Sequence, residues 1–196
     1  MKENSRRQQA ARTRKYIHEV SMGLFKKHGF NKVTIHQICS ACGLSTGAFY
    51  HYYKNKDDIL VEQYRVTDTS FCGDIDDLSG GTVLEKIIEY MGNYSDKAEK
   101  DGLESVTEIC HAWLSRRLGF PYNDESAVSR GLCELLNDAC QAGEIPPELN
   151  TREFAIDILM IARGIIYHWC LIRGTFSPRQ KTKETLQAYI AGKITR

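Results

Sequence analysis

The sequence predicts an all-α protein of about nine helices, and three observations carry that reading. Apolar residues recur at helical spacing along most of the chain, with no alternating β-hairpin pattern and no internal repeat. Ser, Thr or Asn stands at the start of many of these segments, and glycine ends several of them, as helix capping requires. The only four prolines lie after residue 120, so the first 120 residues are free of proline, the strongest helix breaker.

Taken in order, Ala10, Ile17, Val20, Leu24 and Phe25 form the apolar stripe of a first helix, which Gly29 ends. Thr34-Ile-His-Gln37 reads as a capping box that opens a second, short helix with Ile35, Ile38, Cys39 and Cys42 inward, stopping at Gly43. Ser45 caps a third helix with Ala48, Phe49 and Tyr52 facing inward. Only Gly43-Leu44 separates the two, so they cross sharply as a helix-turn-helix, and the small Cys39 sits where they touch. Asn55-Lys-Asp-Asp58 opens a fourth helix with an Asn cap and an acidic first turn, anchored by Ile59, Leu60 and Tyr64.

Beyond it, the Thr82-x-x-Glu85 capping box starts a helix through Ile87, Ile88 and Met91. Ser105-x-x-Glu108 is a weaker box within a helix ending near Gly119-Phe-Pro121. A further helix runs from about Asp124 to Ala142 and stops at Gly143. Asn150-x-x-Glu153 begins one that reaches Gly174 and is apolar nearly all round (Phe154, Ile156, Leu159, Ile161, Ile165, Ile166, Trp169, Leu171), the mark of burial on more than one side. Ser177-Pro178 opens the last.

Composition narrows the function classes. The chain has 196 residues, is 42% apolar and carries a net charge of +1. That balance excludes a disordered chain. Asp157 and Arg163 interrupt the richest apolar stretch, which argues against a membrane span, and the basic N-terminus lacks the apolar region of a signal peptide. The seven cysteines, odd in number and scattered, read as reduced thiols of a cytoplasmic protein. The charge is not evenly spread. Residues 1–56 hold eleven Lys and Arg against two Glu, a net +9, and the remainder is −8. A basic module on an acidic body points to a polyanionic partner for the module.

The stretch Gly29 to Leu60, GFNKVTIHQICSACGLSTGAFYHYYKNKDDIL, resembles the DNA-binding domain of the TetR/AcrR transcriptional regulators. The resemblance rests on Gly29-Phe30, Thr34, Gly43-Leu44-Ser45, the Gly47-x-Phe49-Tyr50-x-Tyr52-Tyr53 run and Lys54 to Leu60. It implies a DNA-binding domain over residues 8–72, with the helix-turn-helix at about 34–53, and an effector-binding and dimerisation domain over 75–196. It further implies that Ser45, Thr46 and Gly47 approach DNA, with Thr46 and Gly47 at base edges. Tyr50, His51, Tyr52, Thr34 and Lys56 are then expected to contact phosphate. Tyr52 fits a core position equally well, His51 fits plain exposure, and the basic arm (Arg6, Arg7, Arg12, Arg14, Lys15) fits either a groove contact or a disordered tail.

By the same resemblance, helices at about 151–173 and 178–191 pair with their symmetry mates in a homodimer. A small-molecule effector then releases the protein from a palindromic operator. Aromatic and polar candidates for the effector site are Tyr94, His111, Trp113, Tyr167, His168 and Trp169. No catalytic motif, metal-ligand set or cofactor loop stands out, so neither an enzyme nor a cofactor is expected. Two alternatives remain open: an architectural DNA-binding protein without an effector, and a redox sensor using the Cys39-x-x-Cys42 pair.

Overall fold

A computed structural model describes residues 2–70, 78, 81–116 and 126–194. Among these residues the secondary structure is helical throughout: α1 Lys2–His28, a 3₁₀ turn Phe30–Lys32, α2 Ile35–Cys42, α3 Thr46–Tyr50, α4 Asp57–Ser70, α5 Val83–Asp101, α6 Leu103–Arg116, α7 Ala127–Gln141, α8 Thr151–Leu171 and α9 Pro178–Ile194. The chain forms two compact units, one of residues 1–66 with 108–118, the other of 67–107 with 119–196. The side chains of the expected anchor Tyr64 and of Trp113, together with Cys72, the Gly119-Phe-Pro121 terminus and Asp124, lie outside what the structure describes.

The first unit closes around Ile17, Phe25, Phe30, Val33, Ile38, Cys39, Phe49, Tyr53, Ile59 and Leu60. The α1 stripe reaches this core only from Ile17 onward, and Ala10 stays exposed. Both boundaries of α2 follow local chemistry. The Thr34 hydroxyl accepts from the Gln37 amide while the Gln37 side chain accepts from the Thr34 amide, a complete capping box. At the other end Gly43 takes a left-handed conformation (φ 66°) that lets the Leu44 amide donate back to Cys39 O at 2.9 Å. Ser45 caps α3 by accepting from the Ala48 amide. The core residue that follows Phe49 is Tyr53, 2% exposed, rather than Tyr52, which is half-buried. The Tyr53 amide donates to Phe49 O, so the i to i+4 spacing continues past the end of α3 and keeps both rings on one side.

The second unit packs α5 against α7 and α9, with α8 across them. Its core includes Ile87, Tyr90, Met91, Val128, Leu132, Leu136, Phe154, Ile158, Leu186 and Ile190. Thr82 and Glu85 form the expected capping box of α5, and Glu144 adds a second anchor by accepting from the Val83 and Leu84 amides, both at 2.9 Å. Ser105 lies inside α6, which starts at Leu103 directly after the left-handed Gly102, and so is no N-cap. Ser126 caps α7, three residues before its first-turn partner Ser129. Asn150 caps α8, which ends at Leu171 rather than Gly174 because Arg173 and Gly174 both turn to positive φ. α9 extends past 191 to Ile194. One polar pair is buried in this core, Ser95 and Thr182 with hydroxyls 2.7 Å apart. At its edge Glu89 receives Arg179 and Lys183.

By length and composition alone, α8 is long and apolar enough to cross a membrane, despite Asp157 and Arg163. Its Phe154, Ala155, Ile158, Leu159 and Ala162 are core residues of the second unit, which accounts for the apolar character without a bilayer.

Candidate nucleic-acid interface

The helix-turn-helix of α2 and α3 divides its side chains cleanly. Ile38, Cys39, Phe49 and Tyr53 point into the core, while Ser45, Thr46, Gly47, Tyr50 and His51 are exposed. Tyr50 is 53% exposed although it is a large aromatic. Gly47 sits in ordinary helical backbone, and a Cβ built there would meet only the Ser45 Oγ, at 4.0 Å. Neither backbone geometry nor internal packing therefore asks for a glycine at this position.

Thr34 is exposed at the start of α2, its hydroxyl and amide both engaged with Gln37. Beside it lies an open cleft of about 410 Å³ lined by Leu24, Lys27, His28, Lys32, Val33 and Gln37. Three of those six side chains are basic, so positive charge gathers where α1 ends and α2 begins.

Two of the cations counted in the basic module are engaged by groups of the unit itself. Arg14 donates from Nε to Glu62 at 2.7 Å and from Nη1 to the Tyr52 carbonyl at 3.0 Å, and its guanidinium lies 4.6 Å from the Tyr53 ring centroid. The hydrogen bond that it donates to Glu62 raises its already high pKa further. The basic arm is thus helical from residue 2 and partly spent on internal ties, rather than a disordered tail. Lys56 likewise donates to Phe30 O at 2.6 Å and Val33 O at 2.9 Å, and sits 4.1 Å from the Phe30 ring centroid. Burial lowers its pKa against the opposing pull of Asp57 and Glu108. Tyr52 keeps a half-buried ring and a carbonyl already bound by Arg14. Sequence reasoning found the capping residues and missed these ties, because no local pattern announces a lysine that reaches back 23 or 26 residues.

His18 is another buried polar group of this unit, 8% exposed with Nε2 lacking a hydrogen-bond partner. Desolvation lowers its pKa, against the attraction of Glu62 and Glu19. The Cys39 and Cys42 thiols are free, and burial, followed by the proximity of Cys39, raises the Cys42 pKa. A sensing thiol needs the opposite shift.

The effector candidates differ in burial and are divided between the two units. Tyr94 is half-buried against the core of the second unit. His111 lies on the part of α6 that belongs to the first unit, and is exposed there. Tyr167 and His168 are exposed, the latter stacked on Phe176 with ring centroids 6.3 Å apart. Trp169 is 4% exposed and its indole N–H has no acceptor. No group of three or more potential metal ligands occurs among the described residues.

Residues 17–62 match the family model described as bacterial regulatory proteins, tetR family. The HTH-type transcriptional regulator AcrR of Shigella flexneri is 22% identical over 91% of this chain and 87% of its own length. The uncharacterized HTH-type transcriptional regulator YerO of Bacillus subtilis is 47% identical over 45 residues, covering 23% of this chain and 16% of that one. Among solved structures, Thermus thermophilus FadR, a TetR-family transcriptional repressor in complex with lauroyl-CoA, superposes with a TM-score of 0.78 at 16% identity, over 93% of this chain and 96% of that chain. That likeness extends the fold over the second unit, while the local match identifies the first. The helix-turn-helix built as described lies within the segment that matches the tetR family model, and the chain as a whole shares the fold of the Thermus thermophilus protein.

Proposed function

We propose that the protein is a ligand-responsive repressor that binds a palindromic operator as a homodimer and is released by a small molecule. The division of α2–α3 into a buried apolar side and an exposed Ser45-Thr46-Gly47-Tyr50-His51 side carries the DNA-binding half of this reading. An α-helix fits the major groove with its first residues toward base edges. Thr46 and Gly47 then read sequence, while Thr34, Tyr50, His51 and Tyr52 contact the sugar-phosphate backbone. Residues 8–72 bind DNA and 75–196 bind effector and partner.

The homodimer reading is supported by α8. Met160, Tyr167 and Leu171 are 51%, 42% and 62% exposed, with the exposed Gly164 between them. These positions recur every three or four residues and so form one stripe, on the side of α8 turned from its own core. An apolar stripe on a helix that already buries another face fits a second copy of the same helix. α9, with exposed Ala188 and Gly192, supplies small residues beside it. The lauroyl-CoA bound by the Thermus thermophilus protein makes acyl-CoA thioesters the first effector class to test, with Trp169 and Tyr94 as candidate contacts.

Selection of bound duplexes from a random-sequence pool at fixed salt tests the reading. Enrichment of an inverted repeat is expected. Recovery of unenriched sequence would leave a sequence-blind architectural protein instead. In sedimentation, Met160→Lys combined with Tyr167→Lys is expected to give monomers; an unchanged dimer would reject the α8 interface. Stabilisation of the chain by an acyl-CoA, together with release of the selected duplex, would support the effector class.

A further inference from the structure

We propose that Lys56 is a positioning residue, whose ammonium ties the start of α4 to the 29–33 turn and thereby holds the first turn of α2 in place for DNA, without itself contacting phosphate. This rests on the DNA-binding reading above but departs from the simplest expectation for a lysine in a basic module. Two of the three ammonium N–H bonds are directed at Phe30 O and Val33 O, at 2.6 and 2.9 Å, and the charge lies over the Phe30 ring. Phe30 and Val33 are 7% and 3% exposed, so the tie is anchored on core residues.

The turn it grips has little backbone bonding of its own. Lys32 N donates to Gly29 O and Val33 N to Phe30 O, each at a long 3.3 Å, and Gly29 sits at φ 82°. Val33 C=O and Thr34 N–H belong to one peptide unit. Lys56 holds its carbonyl end, and the Gln37 side chain accepts from its amide end at 2.8 Å. The plane immediately before α2 is therefore clamped at both ends, and with it the direction in which the Thr34 hydroxyl and the α2 amides face. Asn31, in the same turn, donates to Glu108 at 2.7 Å, a second clamp whose carboxylate also favours the charged Lys56. Moving the ammonium out to a phosphate would strip both carbonyls of this donor and uncover the Phe30 ring.

The test uses the full-length protein with Lys56→Met, which keeps the apolar stem and removes the donors, and Lys56→Arg, which keeps the charge. In the wild-type protein without DNA, the Lys56 ammonium protons are expected to exchange slowly in nitrogen-15 spectra, as hydrogen-bonded donors do. A freely exchanging ammonium would overturn the proposal, and this readout needs no variant to fold. In Lys56→Met, amides from Thr34 to Ile38 are expected to exchange faster. Affinity for a duplex chosen by the wild-type protein should fall about tenfold, the equivalent of one hydrogen bond. The slope of log affinity against log salt should stay that of the wild type. A slope reduced by about 0.9, one phosphate contact, with amide exchange unchanged, would make Lys56 a phosphate ligand and reject the tie; so would full affinity with unchanged exchange. Lys56→Arg is expected to rescue the slow amide exchange only in part, since a planar fork cannot replace a tetrahedral donor on both carbonyls; full rescue of affinity without rescue of exchange would again reject it. If the protein binds no duplex at all, the DNA-binding reading fails, while the ammonium and amide measurements on the free protein still decide the tie.

Discussion

The two units of this chain are stabilised in different ways. In the second unit the helices bury a broad apolar core, and polar contacts such as Glu89 with Arg179 and Lys183 lie at its margin. In the first unit a smaller core is braced by side chains that reach across it to backbone carbonyls, Arg14 to Tyr52 and Lys56 to Phe30 and Val33. A small unit has less apolar surface to bury. Long cationic side chains compensate by packing their stems and hydrogen-bonding with their heads. The charge of a DNA-binding module is therefore not a count of its phosphate contacts. Of the eleven Lys and Arg in residues 1–56, Arg14 and Lys56 are tied into the fold.

The largest expected difference between the units comes from their cores. Phe49→Ala removes a ring that is fully buried in the first unit and should cost about 3–5 kcal/mol there. Thermal unfolding followed by circular dichroism is expected to show an early transition, with the second unit retaining its own. A single cooperative loss of all helix would mean that the units do not unfold separately. DNA binding should vanish in either case.

The buried Ser95–Thr182 pair tests whether polar contacts matter in the second unit. Ser95→Ala or Thr182→Val alone leaves one hydroxyl buried without its partner and should cost about 1–3 kcal/mol. The double variant should cost less than the sum of the two, because no orphan remains. Additive costs in a double-mutant cycle would show that the pair contributes no mutual stabilisation.

A smaller effect, confined to acid, is expected from His18 in the first unit. Desolvation holds its folded-state pKa below the ordinary 6.5. The unfolded chain therefore takes up a proton before the folded one does. Its contribution is fully present above about pH 6.5 and is lost as pH falls toward the depressed folded value. His18→Leu should flatten the decline in stability of the first unit between pH 7.5 and roughly pH 5. An unchanged pH profile would assign that decline to other groups.

The smallest effect on stability should accompany a large one on binding. Gly47→Ala fills open space in helical backbone, so it should stabilise the first unit by about 0.5–1 kcal/mol. It is expected at the same time to weaken DNA binding, because the methyl occupies the clearance left for a base edge. Stabilisation with undiminished affinity would show that α3 does not approach DNA at this residue.

How much could be read in advance follows the range of each interaction. The Thr34–Gln37 and Thr82–Glu85 boxes, the Ser45 cap and the Gly43 turn were legible because both partners lie within a few residues. So was the burial of Phe49, from its spacing and type. The choice of Tyr53 over Tyr52 as the next core residue was not legible, since both are tyrosines and the selection depends on the path of the chain past α3. Nor was the second anchor of α5 by Glu144, which lies 61 residues from Val83. The effector candidates were chosen by residue type alone, and type could not tell exposed Tyr167 from buried Trp169, nor assign His111 to the first unit.

The sequence by itself therefore determined the helical class, most of the caps and the helix-turn-helix, because capping and amphipathic spacing are satisfied within a turn or two of helix. Only the tertiary structure decided where the flexible cations went and which apolar face of α8 stayed open. Those outcomes depend on partners tens of residues away, and on a competition between burial and solvation that no local pattern records.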